Sequence, residues 1–320
     1  MAVFTYIATA IVGSFLAAGA TTILGSALLY STIVGVVAAG LGLITAKLLG
    51  VFDVPGAGPD PGTKIQVAPS TDNKIGVAYG RNFMSGPITD VNISNQNKTM
   101  HYCITLSEVA DGHGTSTYTS NQVFWGDRKL NFTGANVSSF TDPNSTAKED
   151  WANKIRIRIY AGGTAASNQV FPTSGAVDAT TMMPHWTNTT AYSMEDLVFA
   201  MIELDYDAEN GLTGLGAMSF DLTNSKHNPG EVLFDYLKSD RYGPANADIN
   251  ITSILGTANT NMLGYCNEQI DFTNNAGSAA TIDRFQINGY LSTFNSCMDN
   301  VDKICRNSAT YFTFDGKLGQ

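Results

Sequence analysis

From Met1 to Ala46 the chain carries no charged side chain, and Lys47 is the first. A water-facing domain surface is not built from such a stretch, so the segment must be covered by lipid, by other protein or by copies of itself. A helix needs about 20 apolar residues to cross a bilayer core, and this stretch is long enough for two. Small residues recur at helical spacing: Gly13 with Ala17, Gly35 with Ala39, and Ala38 with Gly42. Such pairs let helix backbones approach closely. The expectation is apolar helices, over 1–50, that pack against copies of themselves; a single transmembrane anchor is the alternative. Thr21-Thr22 or Gly25-Ser26 marks where the run would fold into a hairpin, and Lys47 would mark an interface. A cleaved signal peptide fits poorly. There is no basic leader, and apolar sequence continues past the A-x-A-like Ala18 and Ala20.

Between Pro55 and Gly62 stand three prolines and three glycines in eight residues. No helix continues through that, so 51–63 reads as a linker and a domain boundary. From Lys64 the periodicity changes to two. Ile65, Val67, Ile75, Val77 and Tyr79 alternate with other residues, and 100–106 reads as a strand. In 154–160 Ile alternates with Lys and Arg, the pattern of a strand with one face buried. Asn121–Trp125 before the Gly126-Asp127 turn, Leu197–Tyr206 and Ala217–Leu222 extend a β-rich domain over 64–224.

A mixed α/β domain follows over 225–320. Asn228 caps a helix, Pro229 fills its first turn and Glu231 suits its positive end. Val232, Leu233, Phe234, Tyr236 and Leu237 supply its apolar side, and Gly243-Pro244 ends it. A second helix is predicted from Gly289 to Arg306, with Leu291, Phe294, Met298, Val301 and Cys305 on one stripe. Tyr311–Phe314 reads as a strand and Asp315-Gly316 as a hairpin turn. The cut-short second strand leaves an unpaired edge. Either the chain is a piece of something longer, incomplete at its C-terminal end, or another polypeptide completes the hairpin.

Chemistry is sparse. The net charge of −10 offers no general basic surface for nucleic acid. Cys103, Cys266, Cys297 and Cys305 form no C-x-x-C pair and read as buried thiols. His101, His113, His185 and His227 lack metal-ligand spacing. Asp111-Gly112-His113-Gly114 reads as a small polar loop. The run Asp205, Asp207, Glu209 before Asn210-Gly211 resembles a calcium loop without its closing bidentate Glu. No nucleophile elbow, P-loop or zinc-protease motif occurs. N-x-S/T triplets at Asn92, Asn97, Asn131, Asn136, Asn144, Asn188 and Asn250 read as chance in so Asn-rich a chain. No catalytic residue, cofactor or metal is expected.

Three stretches together carry a resemblance. The first is Lys74–Arg81 with Gly86-Pro87-Ile88. The second is Asn228–Leu237 with Asp240-Arg241-Tyr242-Gly243. The third is Ile287–Tyr290, the helix after it, Cys305-Arg306 and Tyr311–Lys317. In this order they resemble the N-terminal part of the tail-tip, or host-specificity, proteins of long-tailed bacteriophages (the lambda protein J type), over roughly 64–318. The N-P-x-x-V-x-x-D-x-L…R-Y-G run is its most specific piece. The resemblance implies a homotrimeric hub closing the tail tube, in the virion. Its partners would be distal-tail and other tail-tip proteins and a tail-fibre or receptor-binding chain. Family members continue well past this chain's end, so direct receptor contact by this chain is not implied.

The expected fold is α+β, mainly β: an apolar helical segment, then β-barrel-like hub domains with two short helices. Asn228, Pro229, Phe234, Leu237, Arg241, Tyr242, Phe294 and Val301 are expected to pack the hub. Arg241 is read either as paired with a carboxylate or as a surface Arg on a turn. The apolar segments would bundle on the threefold and enter the host membrane during genome ejection. The competing readings are a membrane-anchored surface protein whose β-rich ectodomain begins near residue 63 and a cell-wall hydrolase.

Overall fold

Alternation in residues 155–161 is the simplest route into the architecture. Ile155, Ile157 and Ile159 are fully buried, and Arg156 and Arg158 lie between them on the other face. A computed structural model of the protein describes residues 73–141, 151–187, 192–246 and 248–313. These all belong to one compact unit, Pro59–Gln320. The apolar segment with Gly13, Ala17, Gly35, Ala38, Ala39 and Gly42, the 51–63 linker, Ile65, Val67, Asn144, Asn188, Phe314 and the Asp315-Gly316 turn lie outside the described residues.

Ten strands follow one hydrogen-bonded path. They are β1 (Val77–Tyr79), β2 (Arg81–Met84), β4 (Thr99–Glu108), β5 (Tyr118–Trp125), β6 (Arg128–Thr133), β7 (Asn136–Thr141), β8 (Ile155–Ala161), β10 (Leu197–Asp205), β11 (Met218–Asn224) and β14 (Gly289–Leu291). Two more join beside the path, β3 (Ile88–Ser94) on β4 and β9 (Gln169–Phe171) on β8. The order is β14-β1-β4-β10-β8-β7-β6-β5-β11-β2. The sheet is mixed, because β1 runs parallel to β4 while the other pairings are antiparallel. It is a nearly closed barrel. Near its open seam, Arg81 N of β2 donates to Asn288 Oδ1 beside β14 at 2.8 Å.

The long β4 explains the branching. β10 takes one of its edges; β3 takes the other along Thr99–Ile104, and β1 takes it at Glu108. Gly80 sits where β1 turns into β2, with φ +61°, and a Cβ there would lie 2.1 Å from the Ile287 carbonyl oxygen. Only glycine combines that conformation with that approach.

Burial alternates between cores rather than between core and water. In β10, Val198, Ala200, Ile202 and Leu204 join the main core. Phe199 and Met201 face a second cluster with Tyr160, Met182, Met183 and Trp186. In β1, Ala78 belongs to the main core and Val77 and Tyr79 to a third cluster, built on the helices. Strands with two buried faces read as near-continuous apolar runs, and β10 is one.

Four α-helices occur among the described residues rather than two: α1 (Pro229–Lys238), α2 (Ile251–Leu255), α3 (Met262–Cys266) and α4 (Cys297–Asn307). Asn228 Oδ1 accepts from Gly230 N at 2.8 Å, Pro229 opens α1 and Lys238 lies in its last turn. The helix ends at Ser239, ahead of Gly243-Pro244. Val232 through Leu237 are all buried, so α1 is buried on most of its surface, with Glu231 and Lys238 half-buried along one stripe. The predicted helix over 289–306 is corrected. Gly289–Leu291 is β14, and the helix starts only after the Ser296 cap. Its buried residues are Asn300, Val301, Ile304 and Cys305, whereas Met298 and Phe294 point to solvent. Residues 311–313 pair with no strand among the described residues. Cys297 is exposed, so three of the four thiols are buried and not all. Burial pushes the Cys103 thiol up to about 12 and the Cys266 thiol up to about 11. No helix among the described residues is long and apolar enough to cross a membrane.

Candidate assembly surface and the polar knot behind it

The Asp111-Gly112-His113-Gly114 loop is part of a buried polar knot. Lys226, two residues past β11, turns its side chain inward. Its Nζ donates to Ala110 O (2.7 Å), His113 O (2.7 Å), Gly114 O (3.1 Å) and Asp235 Oδ1 (2.5 Å). Asp235, on α1, is fully buried. Its Oδ1 also accepts from His113 N (2.9 Å), and its Oδ2 from the hydroxyls of Tyr79 and Tyr242, both at 2.6 Å. The carboxylate thus receives four donors, which is how a buried charge is tolerated. Burial, then the Asp235 charge, holds the Tyr79 and Tyr242 hydroxyls well above their ordinary range. Asn224 completes the knot, donating to Ala78 O (2.9 Å) and the Tyr118 hydroxyl (3.2 Å) while accepting from Lys226 N (3.0 Å). Tyr118 OH accepts from Ala110 N at 2.8 Å, and burial raises its pKa to about 12.

Beside the knot, Arg241 clamps the same loop. Its guanidinium meets Asp111 (2.5 Å), Asp196 (2.5 Å), Glu108 (3.3 Å) and Val109 O (2.9 Å). Burial raises the Glu108 pKa despite the opposing pull of Arg241. Of the two readings of Arg241, the carboxylate-paired one describes the structure. Tyr242, Asn228, Pro229, Phe234 and Leu237 are buried around α1, and Val301 is buried from α4. Phe294, at 67 % exposure, packs into no core among the described residues.

The knot is an anchor, and it fixes α1 rigidly on the barrel. Outward from α1 the surface changes character. Eight of the twelve large apolar side chains exposed among the described residues fall between Ile251 and Phe312. Three stand on an arm made of β12 (Gln269–Thr273) and β13 (Ala279–Asp283), a two-stranded sheet of its own. Ile270 pairs opposite Ile282 and Phe272 opposite Ala280. With a side-chain period of two, these four share one face, and Asp271, Thr281, Gln269 and Asp283 share the other. Ile270, Phe272 and Ile282 remain 41–50 % exposed. The tip is ordered by Asn274, whose Oδ1 accepts from Ala276 N and Ser278 N, both at 3.0 Å. The base is held by the Arg284–Glu268 pair and by Arg284 stacked 4.6 Å over the Tyr265 ring.

A groove of about 710 Å³ lies between α2, α3 and the segment 309–313. Elsewhere, His185 donates or accepts at both ring nitrogens, to Asp90 Oδ2 (2.8 Å) and Asn92 Nδ2 (2.7 Å), so it serves as a cross-link. In the Asp205/Asp207/Glu209 run, Asp205 binds Arg156 and Asp207 binds Asn210 and Lys154. No cluster of three or more metal-ligating side chains occurs among the described residues.

The arm and Lys226 were not foreseen from sequence. The arm had a signal in the alternation Ile270-Asp271-Phe272 before the Asn274–Gly277 turn. Lys226 had none, because a lone lysine in a polar loop looks solvated. No model of a known protein family matches the chain, and comparison with curated proteins gives no match.

Proposed function

We propose that the protein is a structural subunit, a homotrimeric hub of a phage tail tip, with no catalytic step of its own. The arm carries this reading. An isolated two-stranded ribbon is marginally stable in water, and this one presents Ile270, Phe272 and Ile282 on a single uncovered face. Exposed contiguous apolar faces mark association sites. The knot and the Arg241 clamp give the arm and helices a stiff base, as a load-bearing joint in a tube requires. The resemblance in the N-P-x-x-V…R-Y-G run supports the tail-tip assignment. Distal-tail proteins, other tail-tip proteins and a receptor-binding chain are the partners this reading assigns.

In the trimer the uncharged segment 1–46 bundles about the threefold, where burial is worth about 25 cal/mol per Å². On host contact it enters the membrane and helps the genome across. Native mass spectrometry of the full chain tests the assembly: three copies are expected, and a strict monomer at micromolar concentration sinks it. Liposome leakage by a peptide of residues 1–50 tests the insertion step. The uncharged segment also favours a second reading, a membrane-anchored surface protein. Copy number in purified virions separates the two.

A further inference from the structure

We propose that the groove between α2, α3 and residues 309–313 binds a neutral oligosaccharide. The inference does not require the trimer, since the groove forms within a single chain. At about 710 Å³ the groove is of ligand size. Among the described residues its lining contains no Lys, Arg or His, and one charged group, Asp248. An anion would find no cation there among the described residues, and Asp248 would repel it.

What the lining does offer is carboxamide. Asn246, Asn250, Asn259 and Asn261 all face the groove. An amide supplies donors and an acceptor side by side, which is what a hydroxyl, itself donor and acceptor, can use in pairs. Two of the amides are oriented by the backbone. Asn246 Oδ1 accepts from Asp248 N at 3.0 Å, and Asn250 Oδ1 accepts from Ser253 N at 3.1 Å. Their Nδ2 groups are therefore the atoms left for a ligand.

Rings complete the pattern. Tyr265 and Tyr311 also line the groove, and Tyr311 is 84 % exposed. An aromatic ring pairs an apolar face with a polar tip, and a sugar ring likewise pairs a C–H face with a hydroxyl rim. The floor is rigid, since Leu233 and Ile254 belong to the helix core. A preformed site spares a ligand the cost of ordering it.

Saturation-transfer NMR on the full chain, in a sugar-free zwitterionic detergent, tests this with maltotriose, mannotriose, galactotriose and chitotriose. At least one is expected to receive saturation. Asn259→Ala and Tyr311→Ala are each expected to weaken its binding about tenfold, the size of one lost polar or stacking contact. Both residues are exposed, so an unchanged thermal midpoint confirms folding. Transfer to none of the four overturns the proposal, and so does binding that both variants leave intact. Sialyllactose, an anion, is expected not to bind; binding equal to the neutral sugars overturns the neutral class. The oligomeric mass of the same sample is read separately, so failure here leaves the assembly reading standing or falling on its own.

Discussion

Lys226 Nζ lies 2.5 Å from Asp235 Oδ1, with both side chains withdrawn from water. Replacing the lysine leaves a buried carboxylate without its cation, and breaking such a pair from one side costs about 3–5 kcal/mol. Lys226→Met is expected to lose that much in urea unfolding. Lys226→Met with Asp235→Leu recovers only part of it, because Tyr79, Tyr242 and His113 N then lose their acceptor. A single-variant loss under about 1 kcal/mol contradicts this account.

Arg241 is the partly exposed counterpart. Asp111 and Asp196 are themselves 43 % and 54 % exposed, so screening reduces what the clamp contributes. Arg241→Ala should cost about 1–2 kcal/mol. Arg241→Lys should restore only a fraction, since an ammonium cannot span three carboxylates as a planar guanidinium does. The difference from the parent should shrink between low and high salt; a salt-independent gap points instead to lost packing.

Alkaline pH should unfold the protein through Tyr79 and Tyr242. An unfolded tyrosine ionises near 10, and both groups are held above that in the fold, first by burial and then by Asp235. The folded state keeps protons that the unfolded chain releases. The stability from these tyrosines is fully present below pH 10 and is lost as pH rises toward the folded values. Absorbance at 295 nm should show a tyrosine fraction that ionises only on unfolding. Smooth titration of every tyrosine in the native state argues against the knot.

The arm separates folding from assembly. Phe272→Asp and Ile270→Asp place charge on a face that touches no core among the described residues, so unfolding energies should stay within about 0.5 kcal/mol of the parent. If the proposed trimer forms through the arm, sedimentation velocity should show the assembled species lost. Retention of the full oligomer by both variants removes the arm from the interface.

Local signals carried much of this architecture. The Ile/Arg alternation of β8 and the Asn228-Pro229 start of α1 are visible in sequence because a period or a cap is written in adjacent residues. The failures came where partners are distant. Gly289–Leu291 fits a helical stripe by spacing, yet it is a strand because it pairs with Val77–Tyr79. Phe294 fits the same stripe but lies before the Ser296 cap, outside the helix. Lys226 and Asp235 are nine residues apart, and neither betrays that the 110–114 loop closes over them. Mainly β character was legible; the ten-strand path and its parallel step at β1 were not.

The pairing of Val77–Tyr79 with Gly289–Leu291 has a consequence for biosynthesis. The first described strand leaves the ribosome more than two hundred residues before its antiparallel neighbour. Throughout that interval the nascent barrel is unsealed, and until α1 emerges Tyr79 also lacks the helix that supplies Asp235. Such long-range closure folds slowly and exposes sticky edges. Chaperone dependence during synthesis, relieved once residue 291 clears the exit tunnel, is the expected cellular cost of sealing a barrel with its own far end.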